Sequence, residues 1–125
     1  MATTPQFATT PARAKATVST ANTARDGSGT LATVVTAGAN GTRVSAVRVV
    51  ATGTTTDGMV RLFLHDGTTA HLWDEISVSS ATPSATVAVF QAERVVQLLL
   101  PTGWSLRAST HNAETFVVHA EASNL

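Results

Sequence analysis

Apolar and polar residues alternate along most of the chain with a period of two. In "MVRLFLH" (59–65), Val60, Leu62 and Leu64 share one face, and in "AHLWDEISV" (70–78), Leu72, Ile76 and Val78 share one face with Asp74 among them. An Asp-Gly turn separates the two segments. Successive side chains of a strand point to opposite faces, so this alternation predicts two β-strands joined as a hairpin. No stretch of the chain shows the 3.6-residue period of an amphipathic helix.

The same pattern recurs between turn signals rich in glycine, proline, asparagine and serine. The predicted strands span residues 30–38, 42–52, 59–65, 70–78, 86–90, 94–101, 103–110 and 115–122. About eight short strands with regular turns predict an all-β fold. We expect a single-domain antiparallel β-sandwich, jelly-roll-like, over residues 17–125.

Residues 1–16 differ from the rest and predict an extended N-terminal arm. Pro5 and Pro11 lack N–H donors and favour extended backbone, and the apolar residues other than Phe7 are small. Two interpretations stay open. The arm is a solvated terminus, or it orders on a neighbouring subunit with Phe7 as its anchor.

Several large apolar residues fall on strand faces opposite the predicted core. They and a basic residue of the arm are the predicted interaction residues, namely Phe7, Arg13, Met59, Phe63 and Trp73. Apolar residues on both faces of an antiparallel sheet indicate that both faces are covered. The second sheet, the arm or a neighbouring subunit would supply the cover. Trp104, in phase with Leu106, is predicted to lie in the core.

Composition narrows the function classes. The chain has 125 residues, a formal net charge of zero, 13% charged residues and no cysteine. This composition argues against a basic nucleic-acid surface and excludes disulfides and thiolate metal sites. No apolar run is long enough for a membrane helix, and the first residues lack the apolar segment of a secretory signal. We expect neither nucleic acid nor membrane as a partner.

The segment "HDGTTAHLWDEISV" (65–78) is where metal or acid–base chemistry would lie. His65 and His71 flank a predicted turn and supply two ligands, with Asp66 as the one available third. The alternative is that Asp66 begins a turn and the histidines decorate an exposed rim. We favour the turn.

The sequence gives even weaker evidence for any other catalytic or binding motif. Asp74 and Glu75 are adjacent on a strand and point to opposite faces, so they do not form a carboxylate pair. The glycine-rich stretch 24–31 has neither a Walker lysine nor a following helix, and no Gly-x-Ser-x-Gly is present. His111 and His119 are interpreted as bystanders. The sequence therefore predicts no catalytic residue, no cofactor and no bound metal.

Three stretches resemble a group of small proteins from tailed-phage and prophage genomes. They are the loop Asn-Thr-x-Arg-Asp-Gly (22–27), "GMVRLFLHDG" (58–67) and "LRASTHNAETF" (106–116), and the similarity extends over 17–122. The group lies among virion structural genes. The resemblance implies a non-enzymatic virion protein, assembled in the host cytoplasm, that decorates the head and stabilises it. Implied partners are the major capsid protein or other virion proteins, and further copies of the chain, a trimer being one option.

Two other functions stay open at this point. The first keeps the structural class and places the protein in the tail, the connector or a host-adhesion component. The second is a small metal-dependent hydrolase that uses His65, Asp66 and His71.

Overall fold

The computed structural model describes residues 10–125, which form nine strands and no helix. In chain order these are β1 (Thr10–Pro11), β2 (Ala14–Val18), β3 (Ala32–Thr36), β4 (Thr42–Ala51), β5 (Gly58–His65), β6 (Ala70–Val78), β7 (Gln91–Leu100), β8 (Ser105–Thr110) and β9 (Phe116–Asn124). No helix long and apolar enough to cross a membrane occurs in this part of the chain.

The strands build two antiparallel sheets that face each other. Sheet A has the order β1-β9-β4-β7, with β2 also paired to β9, and sheet B has the order β3-β8-β5-β6. The predicted all-β antiparallel sandwich is therefore confirmed. The hairpin β5–β6 is confirmed as well, and its turn is closed by Asp66, whose Oδ1 accepts the backbone N–H groups of Thr68 and Thr69 at 2.9 and 2.8 Å.

The core lies between the sheets and draws on both. Fully buried side chains come from β4, β5, β8 and β9, namely Val44, Val47, Val49, Val60, Leu62, Leu106, Phe116 and Val118. Phe90 packs edge-on against Phe116 with ring centroids 6.4 Å apart. Trp104 packs against this core, as predicted.

The predicted arm does not match the described residues. Residues 1–9 lie outside them, but Thr10–Pro11 and Ala14–Val18 pair with β9 of the same chain. The sequence explains why, because small apolar residues alternate with polar ones here and Ala14 and Ala16 pack against the core. Within the described residues the sandwich therefore begins at Thr10, not at residue 17.

The predicted strand 86–90 is absent. Residues 82–90 form an irregular connection that crosses from β6 in sheet B to β7 in sheet A. Ser84 competes for the backbone there, since its Oγ accepts the N–H groups of Thr86 and Val87 at 3.2 Å each. Val87 is left 51% exposed.

One side chain, Arg94, links the two sheets at their β7 and β6 edges. Arg94 of β7 reaches across to β6, where its Nη2 donates to the Glu75 carbonyl oxygen at 3.2 Å. Its Nε lies 3.5 Å from the Asp74 carboxylate. This contact satisfies one carbonyl on the β6 edge.

Candidate functional site

The outward face of sheet B is covered by residues 19–31, here called the covering loop. The Asn22 N–H donates to the Thr110 carbonyl of β8 at 2.8 Å, which fixes one end of the loop. Further along, Gly27 lies so close to β6 that an added Cβ would be 2.3 Å from the Ala70 carbonyl oxygen. The loop therefore crosses this face from β8 to β6 before the chain enters β3.

Asn22 holds the covering loop in shape from within. Its side chain is 7% exposed, and its Nδ2 donates to the carbonyls of Ser28 and Thr30 at 2.9 and 3.0 Å. Its Oδ1 accepts the Ala24 N–H at 3.0 Å. One buried amide thus replaces the strand partners that an irregular segment lacks.

A charge cluster built on one buried arginine lies between the covering loop and sheet B. Arg61 is 2% exposed, and its Nε donates to Glu75 Oε2 at 2.8 Å. Arg25 of the loop donates its Nε to the same oxygen at 2.7 Å. These two bonds, that from Arg25 foremost, lower the pKa of the Glu75 carboxyl.

His111 completes the cluster. Arg61 Nη1 lies 3.2 Å from His111 Nδ1. A guanidinium has no acceptor, so it donates and Nδ1 accepts, which places the proton of neutral His111 on Nε2. Sequence reasoning missed this role for His111 and gave Arg61 none. The available signal was Arg61 itself, a charge between Val60 and Leu62 in an apolar strand.

The cluster joins three segments that are far apart in the sequence. Arg25 lies in 22–27, Arg61 in 58–67 and His111 in 106–116. Their side chains meet at or around Glu75 of β6. Each member is hydrogen-bonded to another, so the arrangement fastens the covering loop to sheet B.

Acid stability follows from the carboxyl groups on this side of the molecule. The Ser28 hydroxyl lowers the pKa of Asp26, and the Thr69 and Thr68 amides lower that of Asp66, as the arginines do for Glu75. A carboxyl group with a lowered folded-state pKa stabilises the fold above its ordinary pKa, and that contribution is lost as the pH falls through the lowered value.

We therefore expect the unfolding temperature to be constant near neutral pH and to fall progressively below pH 4.5, the ordinary value for Glu75. Thermal unfolding followed by circular dichroism across this range measures the effect. The Glu75→Gln variant should be less stable at neutral pH and should lose less on acidification. A variant with the same acid slope as the parent would contradict the assignment.

A polar cleft opens beside the covering loop. It is bounded by residues 26–31 on one side and the β5–β6 turn on the other, and its volume is about 450 Å³. The lining is mostly polar, with Asp26, Ser28, His65, Thr68, Thr69 and Arg107 supplying the side-chain donors and acceptors.

The prediction that Trp73 points outward is wrong. The register of β5 and β6 shifts, because Leu62 pairs with Asp74 whereas Phe63 pairs with Leu72. Trp73 is the extra residue of a β-bulge, and a bulge reverses the alternation on one side of it. Trp73 packs against the core, and Leu72 takes the outward position with 38% exposure.

The other predicted interaction residues are scattered. Phe63 lies on the outward face of sheet B but is fully buried, since the covering loop crosses that face. Met59 is half-buried on the same face, beside Ser77. Arg13 is exposed on sheet A and pairs with Glu121 of β9 at 3.3 Å, whereas Phe7 lies outside the described residues. The described members do not form one surface.

The candidate metal ligands do not converge. His65 Nδ1 accepts the Gly67 N–H at 3.1 Å, Asp66 closes the turn, and His71 Nε2 lies 3.0 Å from Thr69 Oγ1. Across residues 10–125, no group of three or more histidine, cysteine, aspartate or glutamate side chains is placed to hold a metal ion. The histidines therefore belong to the hairpin turn, as the sequence favoured.

Strand β7 presents an apolar edge that sequence reasoning missed. Among the described residues β7 pairs with β4 alone, which leaves its other edge open. Two residues of its outward row are exposed, Val95 by 85% and Leu99 by 63%. The run "VVQLLL" hides this arrangement, because adjacent apolar residues conceal which ones alternate into the core.

Comparison with known proteins found no matching family model, no significantly similar curated protein and no significantly similar solved structure.

Proposed function

We propose that the chain is a structural protein of a tailed-phage virion, which decorates the outside of the capsid and stabilises it through contacts between subunits. The open, apolar edge of β7 carries this proposal, with support from the three stretches that resemble phage virion proteins. The protein enters the virion after assembly in the host cytoplasm. No catalytic step is part of the proposal.

The β7 edge has features that are typical of a protein–protein contact. Proteins usually protect long edge strands with charges, prolines or bulges, because an open edge recruits other strands. The first half of β7 carries exposed Glu93 and Arg94, and the register against β4 shifts after Val95. The second half, residues 95–100, has no charged residue and exposes Val95 and Leu99. A strand from a neighbouring molecule would satisfy the free N–H and C=O groups and cover both side chains.

The second copy is the occupant that the topology favours. Sheet A has unlike edges, with β7 at one and β1 at the other, and residues 1–9 precede β1. A contact that joins unlike edges is head-to-tail, and such contacts close into rings when the rotation allows. We propose that the β1 edge and residues 1–9 of one copy, anchored by Phe7, add to β7 of the next, which gives a ring such as a trimer. The ring then binds the major capsid protein.

Two variants test the contact. Replacing Val95 and Leu99 together by lysine places charges on the edge, and deleting residues 1–9 removes the incoming segment but leaves β1 and β2. We expect both variants to fold and to run as monomers, whereas the parent forms an oligomer. Light scattering after size-exclusion chromatography gives the mass, and sedimentation with capsid shells of the parent phage gives the binding.

Val87→Lys is the matched control. Val87 is also exposed and aliphatic, but it lies in the connection before β7 and not on the edge. It should oligomerise and sediment like the parent. A parent protein that runs at 12.9 kDa and stays in the supernatant would refute the proposal. So would edge variants that assemble normally.

A further inference from the structure

Arg107, which lines the polar cleft, is a cation without a carboxylate partner among the described residues. It lies on β8, in register with Phe63 of β5, and is half-buried. Its Nε donates to Ser105 Oγ at 3.1 Å. Within residues 10–125 no carboxylate lies within 4.0 Å of its guanidinium, whereas five other arginines each have one. Its Nη groups are therefore available to an incoming anion.

Asp26 gives the cleft a fixed negative group as well. Its Oδ1 accepts both the N–H and the hydroxyl of Ser28, which lowers the pKa of this carboxyl and keeps it ionised at neutral pH. Both bonds use the same oxygen. The other carboxylate oxygen is left to accept a donor such as a hydroxyl group.

The remaining walls supply neutral donors and acceptors. Thr68 and Thr69 line the cleft with Ser28, and His65 accepts a backbone N–H at Nδ1, so its Nε2 carries the proton of the neutral ring. The only large aliphatic residue of the lining is Leu31. This surface suits a ligand rich in hydroxyl groups.

We infer that the polar cleft binds a sugar acid, meaning a saccharide unit that carries a carboxylate. The ligand carboxylate pairs with Arg107, for which a guanidinium is the geometrically matched partner, and ring hydroxyls donate to Asp26 and bond to the threonines. A bare anion would offer no hydroxyl donor to Asp26, and a neutral sugar would leave Arg107 unpaired. The volume of about 450 Å³ lies within the range of small-molecule sites.

A nuclear magnetic resonance titration of the full chain tests this inference. Glucuronate and galacturonate should shift the backbone amide signals of residues 26–31 and 65–70, with a dissociation constant of about 1 mM. Glucose, which lacks the carboxylate, and inorganic phosphate, which lacks the hydroxyl ring, should each bind roughly tenfold more weakly or not at all. Arg107→Gln should weaken uronate binding by a similar factor.

Two further variants keep the result interpretable. Arg43→Gln is the matched control, because Arg43 is also without a carboxylate partner in the described region but lies on sheet A; it should bind like the parent. Thr68→Trp fills the mouth of the cleft from an exposed turn position and should abolish binding even if Arg107→Gln does not fold. Unshifted signals at ~50 mM uronate, far above the expected constant, would overturn the inference. Equal binding of phosphate, or full binding by Thr68→Trp, would do the same.

Discussion

Replacing Arg61 by alanine is expected to lower the free energy of unfolding by about 3 kcal/mol. Arg61 is 2% exposed and donates to both Glu75 and His111, so truncation removes two hydrogen bonds and leaves a cavity beneath the covering loop. The Glu75 side chain is 28% exposed and keeps Arg25, which places the loss at the lower end of the range for broken buried pairs. Urea unfolding followed by circular dichroism measures it.

The Arg61→Met variant separates volume from charge. It fills most of the space without a charge, and well-packed apolar replacements of buried ion pairs are often close to neutral. We expect a loss of about 1 kcal/mol or less for this variant. Arg48→Ala is the surface control, since the Arg48–Glu93 pair is exposed at 3.3 Å and should contribute at most about 0.5 kcal/mol.

Proteolysis of the covering loop gives a second measure of how firmly the charge cluster holds the loop. If Arg61 and Glu75 hold Arg25 in place, limited trypsin digestion should cut after Arg25 faster in Arg61→Ala than in Arg48→Ala. Equal cleavage, together with a stability loss below about 1 kcal/mol, would show that the cluster does not fasten the loop.

The sequence was sufficient for the strands whose pattern is local. The hairpin of β5 and β6 was predicted to within one residue, because alternation and an Asp-Gly turn are both readable in a short window. The two strands that precede the covering loop were not predicted, because Pro5 and Pro11 are typical of an extended arm and only Ala14, Ala16 and Val18 mark the alternation there. Those side chains are small, so the hydrophobic pattern that they add to the sequence is weak.

The phase of a strand is harder to predict than its existence. A bulge at Trp73 adds one residue to β6, and the face of every residue before it changes as a result. Nothing in the local sequence marks that insertion, because it depends on how β6 fits β5 and the core. Simple alternation places Leu72 toward the core and Trp73 outward, whereas in the structure Trp73 packs against the core and Leu72 faces outward.

The charge cluster and the cleft were beyond local prediction for a related reason. Arg25, Arg61 and His111 come from segments far apart in sequence. The pairing of β5 with β8 brings Arg61 and His111 together, and the covering loop brings Arg25 to them. The alternation of apolar and polar residues predicted that Phe63 points away from the core. It did not predict that residues of the same chain cover Phe63. The sequence suggested the arm, the second sheet or a neighbour as the cover, and the structure supplies a loop.

Replacing Gly27 by alanine is the second large effect, with an expected loss of about 3 kcal/mol. Gly27 has a φ of +87°, and an added Cβ would lie 2.3 Å from the Ala70 carbonyl oxygen and 3.0 Å from its carbon. Both atoms belong to the backbone of β6, so no side-chain rotation relieves the contact. The covering loop would have to withdraw from sheet B.

Gly103→Ala isolates the clash from the backbone strain. Gly103 also has a φ of +87°, but an added Cβ there meets no atom within 4 Å. The free energy of unfolding of Gly103→Ala should therefore fall only by the roughly 1 kcal/mol that the left-handed region costs a non-glycine residue. The difference between the two variants in urea unfolding measures how firmly the loop is held against β6. Equal losses would mean that the loop withdraws freely, and the charge cluster beneath it would then contribute little to the fold.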